Sequence, residues 1–149
     1  MVVLLVLLIS LLLYRAIGAV GVAALATWAG ATRYALATML VLTASAHFTK
    51  MKGDLLRMMP DWIPQPMTVI YFTGVCEVAG AIGLLVPIVR QAAGIALILF
   101  FILIFPANVK AARSGVGIGG KRATPLWLRA LMQVLFITLT WWSALQNAN

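Results

Sequence analysis

An acidic residue lies in the middle of an apolar stretch at residues 68–86, TVIYFTGVCEVAGAIGLLV. The stretch is long enough to cross a bilayer as a helix, which needs about 20 mostly apolar residues. Because a carboxylate at that depth is costly, Glu77 must be neutral, paired or turned toward a wet interior. Gly74 and Gly80 lie three residues on either side of Glu77 and share its helical face. Small residues on that face allow a neighbouring helix to come close, so the pattern predicts that Glu77 points into a helix bundle.

The composition indicates a membrane protein. Of 149 residues, 64% are hydrophobic and 9% are charged, and the mean hydropathy is +1.07. The net charge of +8 does not indicate nucleic-acid binding, because the basic residues lie at the ends of apolar runs, as membrane flanks do. The single cysteine excludes an internal disulfide. One histidine, one cysteine and one glutamate on separate helices form a poor ligand set, so no metal site is predicted.

Five apolar stretches predict an all-α, polytopic membrane helix bundle that forms a single membrane domain. The predicted helices cover residues 2–19, 28–50, 67–86, 90–113 and 125–145. Residues 53–66 are too polar to span and are predicted to lie on the membrane surface, with a docking site for a partner as the alternative. A secretory signal peptide is the competing interpretation of the first stretch. Arg15 follows that apolar run instead of preceding it, which favours a retained helix.

Local signals set several helix boundaries. Thr27 is a predicted N-cap of the second helix, and Asp54 is a predicted cap of a short helix in the surface segment. Pro87 is expected to end the third helix. Within the fourth helix, Pro106 cannot donate a backbone hydrogen bond, so a kink is predicted there. The kink is expected to turn Asn108 toward the bundle.

The loop at residues 114–124, SGVGIGGKRAT, contains the spacing of two nucleotide-binding motifs. The start of a phosphate-binding P-loop and the GxGxxG fingerprint both require a preceding β-strand in a βαβ unit. Here a predicted membrane helix precedes the loop, and Arg122 stands where the P-loop needs serine or threonine. The loop is therefore interpreted as a flexible connection.

The basic residues predict the orientation of the chain. Alternating the five helices across the membrane places eight basic residues on one side and three on the other. Because the larger set should face the cytoplasm, the N-terminus is predicted inside and the C-terminus outside. The larger set comprises Lys50, Lys52, Arg57, Lys110, Arg113, Lys121, Arg122 and Arg129, and the smaller set Arg15, Arg33 and Arg90.

Six polar residues inside the predicted bundle form the candidate site. They are Glu77, His47, Gln133, Asn108, Thr43 and Tyr71. Their helical depths suggest one polar track through the inner leaflet. Glu77 is either a functional acid or a protonated hydrogen-bond donor that holds helices together. His47 could instead lie at the headgroups, and Gln133 and Asn108 could simply join helices.

Four motifs resemble the DoxX-like membrane proteins over about residues 33–145. They are SAHF ending at Phe48, GxxExxG centred on Glu77, PxxR beginning at Pro87 and FPAN beginning at Phe105. The resemblance implies a four-helix core to which residues 2–32 add one N-terminal helix.

The resemblance also implies a function. Some DoxX-like relatives are subunits of a thiosulfate–quinone oxidoreductase or accompany membrane redox complexes. We therefore expect a subunit or accessory factor of a quinone-linked redox system in the bacterial cytoplasmic (inner) membrane, with a redox protein as partner and a quinone contact near His47 and Glu77. The sequence contains no cofactor motif and no nucleophile–base arrangement, so a self-sufficient enzyme is not expected. The alternatives are a non-catalytic assembly or scaffold protein and a small-molecule or proton pathway that uses Glu77.

Overall fold

The computed structural model describes residues 2–120 and 123–147, and the regular elements in this part of the chain are helices. The prediction of an all-α fold is confirmed. Lys121 and Arg122, which entered the predicted charge asymmetry, lie outside the described residues. The α-helices are α1 (Val2–Ala19), α2 (Trp28–Phe48), α3 (Lys52–Met58), α4 (Pro66–Leu85), α5 (Arg90–Leu103), α6 (Phe105–Ser114) and α7 (Leu126–Trp141), and a π-helical turn, Trp142–Gln146, follows α7.

Four helical stretches of the described chain are long and apolar enough to cross a membrane. They are Val2–Ala19, Pro66–Leu85, Pro87–Ser114 and Leu126–Gln146. Helix α2 has a comparable length of 21 residues but is not among them. Its threonines, Arg33 and His47 make it less hydropathic than the other long helices. The structure is thus consistent with a membrane protein, while the fifth span stays a prediction.

Helix α2 lies at the centre of the bundle. Twelve of its 21 residues are buried, and Leu36, Met39 and Leu40 are almost completely inaccessible. Helices α1 and α4 pack against it, and the end of α7 also contacts it. The hydroxyls of Tyr14 on α1 and Thr38 on α2 lie 2.9 Å apart in a hydrogen bond. Because other helices cover much of α2, its polar residues Thr32, Arg33 and His47 are buried inside the bundle.

The N-cap predicted for α2 is found in the structure, whereas the N-cap predicted for α3 is not. Thr27 Oγ1 accepts a hydrogen bond from the backbone N–H of Gly30 at 3.0 Å, which confirms the predicted N-cap. Helix α3 begins at Lys52, so the prediction that Asp54 caps it is wrong. Asp54 lies in the first turn, where its carboxylate faces a loop.

The Asp54 carboxylate joins α3 to the loop that follows α6. It accepts a hydrogen bond from the backbone N–H of Gly119 at 2.7 Å and another from Arg57. These two bonds hold the pKa of Asp54 below its ordinary value of 3.8, the Gly119 bond contributing most. Because the pKa of Asp54 is lowered in the folded protein, the stabilisation that this contact contributes is fully present above pH 3.8. It is lost as the pH falls through the lowered pKa of the folded state.

The long apolar stretch after Pro87 is broken at Ile104, where α5 ends and α6 begins. Pro106 lies in the first turn of α6. Proline has no N–H, and its ring collides with the carbonyl four residues earlier in a continuous helix. The helix predicted at 90–113 is therefore two helices, and the kink predicted at Pro106 is a break two residues before it.

Arg33 defines one end of the bundle. Its Nη1 donates to the carbonyl oxygen of Ser143 at 3.0 Å and to that of Asn147 at 2.6 Å, which joins the start of α2 to the end of the chain. The guanidinium carbon of Arg15 lies 5.4 Å from the centre of the Trp28 ring. We call this the Arg33 end. The opposite end contains the Asp54–Gly119 contact and an ion pair between Lys110 and Asp61, and we call it the Lys110 end.

Helix α4 meets α2 at Gly74, where it has no side chain. A Cβ atom at position 74 would lie 2.7 Å from the Cβ of His47 and 3.0 Å from its Cγ. Real Cβ atoms essentially never make contacts as short as 2.7 Å. Gly74 therefore sets the separation of the two helices at the level of His47.

We expect Gly74→Ala to destabilise the protein by about 1–3 kcal/mol, because the added methyl group overpacks the contact between α2 and α4. Gly53→Ala is the matched control, since a Cβ at position 53 meets nothing within 4 Å. Unfolding of both variants in mixed detergent micelles, followed by circular dichroism, measures the difference. Equal midpoints for Gly74→Ala and the wild type would contradict the proposed role of Gly74.

Candidate functional site: the His47–Glu77 pair

A buried histidine and a buried glutamate face each other between α2 and α4. His47 lies in the last turn of α2, and Glu77 lies near the middle of α4. Their exposed fractions are 8% and 7%. His47 Nε2 lies 3.7 Å from Glu77 Oε1, which is within ion-pair distance but longer than an ordinary hydrogen bond of about 2.7–3.2 Å. We call these two residues the His47–Glu77 pair.

The second ring nitrogen of His47 identifies its tautomer. Nδ1 lies 2.7 Å from the carbonyl oxygen of Ile70. A carbonyl oxygen can only accept, so Nδ1 carries a hydrogen and donates it. The Thr73 hydroxyl lies 3.3 Å from the same nitrogen and donates within α4 to the carbonyls of Val69 and Ile70. Nε2, which faces Glu77, is therefore the ring nitrogen that can gain or lose a proton.

The Glu77 carboxyl group keeps one oxygen without a partner. Glu77 Oε2 is buried, and the described residues offer it no hydrogen bond. Burying a charge without compensation is costly, so the pair is most stable when it is neutral overall. With Nδ1 protonated, one further proton on either Nε2 or Glu77 achieves this, as imidazolium with carboxylate or as imidazole with carboxylic acid. The arrangement can therefore hold one proton, on either of two groups whose nearest atoms lie 3.7 Å apart.

The sequence of α4 explains why the two side chains meet. Thr73 and Glu77 are four residues apart and share one face of the helix, with Gly74 beside them. Gly74 lets α2 approach, so the His47 ring reaches the α4 backbone. Gly80 does the same on the other side, where a Cβ would collide with the Leu97 side chain of α5. The small residues predicted around Glu77 therefore bring helices close on two sides of it.

A second group of polar residues joins α5, α6 and α7 at the helix break. Gln133 Nε2 donates to the carbonyl oxygen of Phe101, in the last turn of α5. Asn108 Nδ2 donates to Gln133 Oε1 at 3.5 Å, a long hydrogen bond, and Arg129 Nη1 donates to Asn108 Oδ1 at 2.9 Å. We call these residues the Arg129–Asn108–Gln133 network. The network thus supplies a hydrogen-bond donor to a backbone carbonyl group next to the helix break, and it links α5, α6 and α7.

The remaining two predicted residues form hydrogen bonds elsewhere. Thr43 Oγ1 donates to the carbonyls of Met39 and Leu40 within its own helix. Tyr71 is exposed, and its hydroxyl accepts from Lys52 Nζ at 2.8 Å. The hydrogen bonds of the described residues thus divide the six predicted residues into the His47–Glu77 pair, Asn108 with Gln133, and two separate side chains. They do not connect them into one track.

Sequence reasoning missed Thr73 and Arg129. Each lies four residues before a polar residue that was predicted, namely Glu77 and Gln133. Spacing by four places both members of each pair on one helical face, so this signal was available in the sequence. Arg129 was instead assigned to a membrane flank, and its contact with Asn108 depends on the fold.

Two further observations describe the surroundings of the pair. The described residues contain no group of three or more His, Cys, Asp or Glu side chains that could hold a metal ion. A mostly apolar crevice of about 320 Å³ lies between α1, α2 and α4, and Tyr14, Tyr34 and Ala81 are among its lining residues. Neither His47 nor Glu77 lines the crevice, but Ala81 follows Glu77 by one helical turn on α4.

We expect Gln133→Leu to destabilise the protein by about 0.6–1.7 kcal/mol, the range for hydrogen bonds between membrane helices. In a Pro106→Ala background the cost should be smaller, because a continuous helix satisfies its own carbonyl groups. Unfolding free energies of the wild type, both single variants and the double variant give the coupling between the two positions. Strictly additive changes would show that Gln133 does not compensate for the break.

The chain belongs to a family described as a domain of unknown function, DUF8561, whose model matches residues 36–144. The matched region excludes α1 and the first part of α2. No curated protein and no solved structure matches the chain. The resemblance to DoxX-like proteins and the function that it implies therefore stay predictions.

Proposed function

We propose that this protein is a multi-pass membrane subunit of a quinone-linked redox system, in which the His47–Glu77 pair binds or releases a proton. The observation that carries the proposal is the geometry of the pair. Nε2 of His47 faces Oε1 of Glu77 at 3.7 Å, and Oε2 of Glu77 is buried without a hydrogen-bond partner. A buried ionisable pair in a membrane helix marks a functional site by default.

The chemistry of quinones fits such a pair. Reduction of a quinone to a quinol adds two electrons and two protons, and the protons go to the two carbonyl oxygens. A protonated Nε2 or a protonated carboxyl group can donate a hydrogen bond to a carbonyl oxygen. The crevice that Ala81 lines offers a mostly apolar space one helical turn along α4 from Glu77, and a ring with an isoprenoid tail requires an apolar space. Because the sequence contains no cofactor motif, we assign electron delivery to a partner protein.

A non-catalytic assembly or scaffold protein is the second candidate. The hydrogen bond from His47 Nδ1 to the Ile70 carbonyl joins α2 to α4, and the pair adds a second link between the same helices. In this alternative, Glu77 stabilises the bundle and exchanges no proton. The two candidates differ in whether the carboxyl group itself is needed.

We also propose that α2 forms the fifth span and that the chain lies in a bacterial cytoplasmic membrane with its N-terminus inside. Protein buries Thr32, Arg33 and His47 of α2, so the helix can cross the membrane with a lower hydropathy than its neighbours. The Arg33 end contains two of the three residues of the smaller basic set, whereas Lys110 and Lys52 lie toward the opposite end. The positive-inside rule then places the Lys110 end in the cytoplasm.

We expect Glu77→Gln to fold like the wild type but to lose function. Glutamine has nearly the size of a carboxylic acid and can still donate a hydrogen bond, but it cannot release a proton. Infrared difference spectra between two pH values detect the carboxyl group, since the chain has only three acidic residues. Adding a short-chain quinone should change the carboxyl band in the wild type and not in Glu77→Gln.

Asp61→Asn is the matched control, because its carboxylate is exposed and lies outside the spanning helices. It should keep the quinone-dependent carboxyl band and complement a deletion strain. A Glu77→Gln protein that complements fully would remove the proton-exchange proposal and support the scaffold candidate. Glu77→Ala, which removes the polar group that faces His47, should lower stability by about 0.6–2 kcal/mol in either case, the range for polar contacts between membrane helices.

The proposed topology predicts which thiols are accessible from outside the cell. In a Cys76→Ala background, Val20→Cys at the Arg33 end should react with a membrane-impermeant maleimide on intact cells. Ser114→Cys at the Lys110 end should react only after the cells are permeabilised. Both native residues are exposed in the structure, so burial does not bias the comparison. The reverse labelling pattern would invert the orientation.

A further inference from the structure

We propose that a groove at the Lys110 end binds the headgroup of an anionic phospholipid. The groove has a volume of about 650 Å³ and lies between α6 and the segment after α3. The inference concerns a region that the His47–Glu77 pair does not include, and it does not depend on the redox function. The residues that line it include Asp61, Trp62, Phe105, Val109, Lys110 and Arg113.

The groove is apolar at one end and basic at the other. Phe105, Val109 and Arg113 follow one another at intervals of four residues and so lie along one face of α6. The side chains thus change from aromatic and aliphatic to cationic along the direction of the helix. A phospholipid changes in the same order, from acyl chain to charged headgroup.

The free charge in the groove favours an anion. Lys110 forms an ion pair with Asp61, whose carboxylate side chain is itself largely exposed. Arg113 is exposed, and it has neither a hydrogen bond nor an ion pair among the described residues. The groove therefore carries one uncompensated positive charge, on a guanidinium group whose planar donors suit a phosphate.

Trp62 supports a lipid over a soluble anion. This residue lines the groove and is 73% exposed. Tryptophan is enriched where a membrane protein crosses the boundary between headgroups and acyl chains. The apolar part of the groove is formed by exposed Pro106 and half-buried Phe105 and Val109, which a free phosphate would leave uncovered. Basic pockets of this kind on the cytoplasmic side of membrane helices suit acidic headgroups.

The test uses the full chain in phosphatidylcholine vesicles that contain a small fraction of brominated phosphatidylglycerol. Bromine atoms quench nearby tryptophans, and the signal lost in a Trp62→Phe variant isolates the contribution of Trp62. We expect brominated phosphatidylglycerol to quench Trp62 more strongly than brominated phosphatidylcholine at the same mole fraction. The preference should decrease at high salt, because a phosphate–guanidinium contact at the membrane surface is screened.

Arg113→Gln should lower the relative association constant for phosphatidylglycerol about fivefold, the factor that corresponds to about one basic residue at an anionic surface. Arg113→Lys should retain part of the preference. Lys50→Gln is the charge-matched control, since Lys50 is exposed and outside the groove. Far-ultraviolet circular dichroism confirms that each variant is folded.

Three results would overturn the proposal. The first is equal quenching of Trp62 by both brominated lipids in the wild type. The second is an equal loss of preference in Lys50→Gln and Arg113→Gln, which would indicate a general surface charge. Inorganic phosphate is added as a competitor, and removal of the preference at millimolar phosphate would point to a soluble anion and would also contradict a lipid site.

Discussion

The contact between α2 and α4 at Gly74 determines where the polar groups of this bundle lie. An apolar environment offers no water to a buried imidazole or carboxyl group, so each must find partners on a neighbouring helix. The missing side chain at position 74 allows the His47 ring to reach the Ile70 carbonyl and face Glu77 at the same time. One glycine thus makes two polar residues compatible with a core in which Leu36 and Leu40 are buried.

At the helix break at Ile104, backbone polar groups also need partners on a neighbouring helix. Breaking a helix leaves carbonyl and N–H groups that an apolar surrounding does not solvate. Gln133 donates to the Phe101 carbonyl, and Asn108 and Arg129 hold the glutamine amide in place. Helix α6 begins directly after the break, and its residues line the groove that contains Trp62. A single proline therefore affects both the interior of the bundle and its surface.

The helices and the inward placement of Glu77 could be predicted from the sequence because apolar length, glycine spacing and proline positions are local properties. Thr27 was recognised as a cap for the same reason. Which polar side chains meet depends on helix rotation and separation, which no single stretch encodes. His47 and Glu77 are 30 positions apart, and the sequence placed them in one track with Thr43 and Tyr71, whose hydrogen bonds lie elsewhere. Asp54 was misplaced because α3 begins earlier than its composition indicated.

The central position of α2 has a consequence for how the chain enters the membrane. A helix that contains Arg33 and His47 and falls below the hydropathy of its neighbours is poorly suited to partition into lipid alone. Helix α1 precedes it, is far more apolar, and meets it through Tyr14 with Thr38 and Arg15 with Trp28. As a proposed span, α2 would therefore be inserted together with α1 as a helical hairpin. In that order of events, α1, which lies outside the region that the family model matches, would help α2 to enter the membrane. The other helices would then pack against α2.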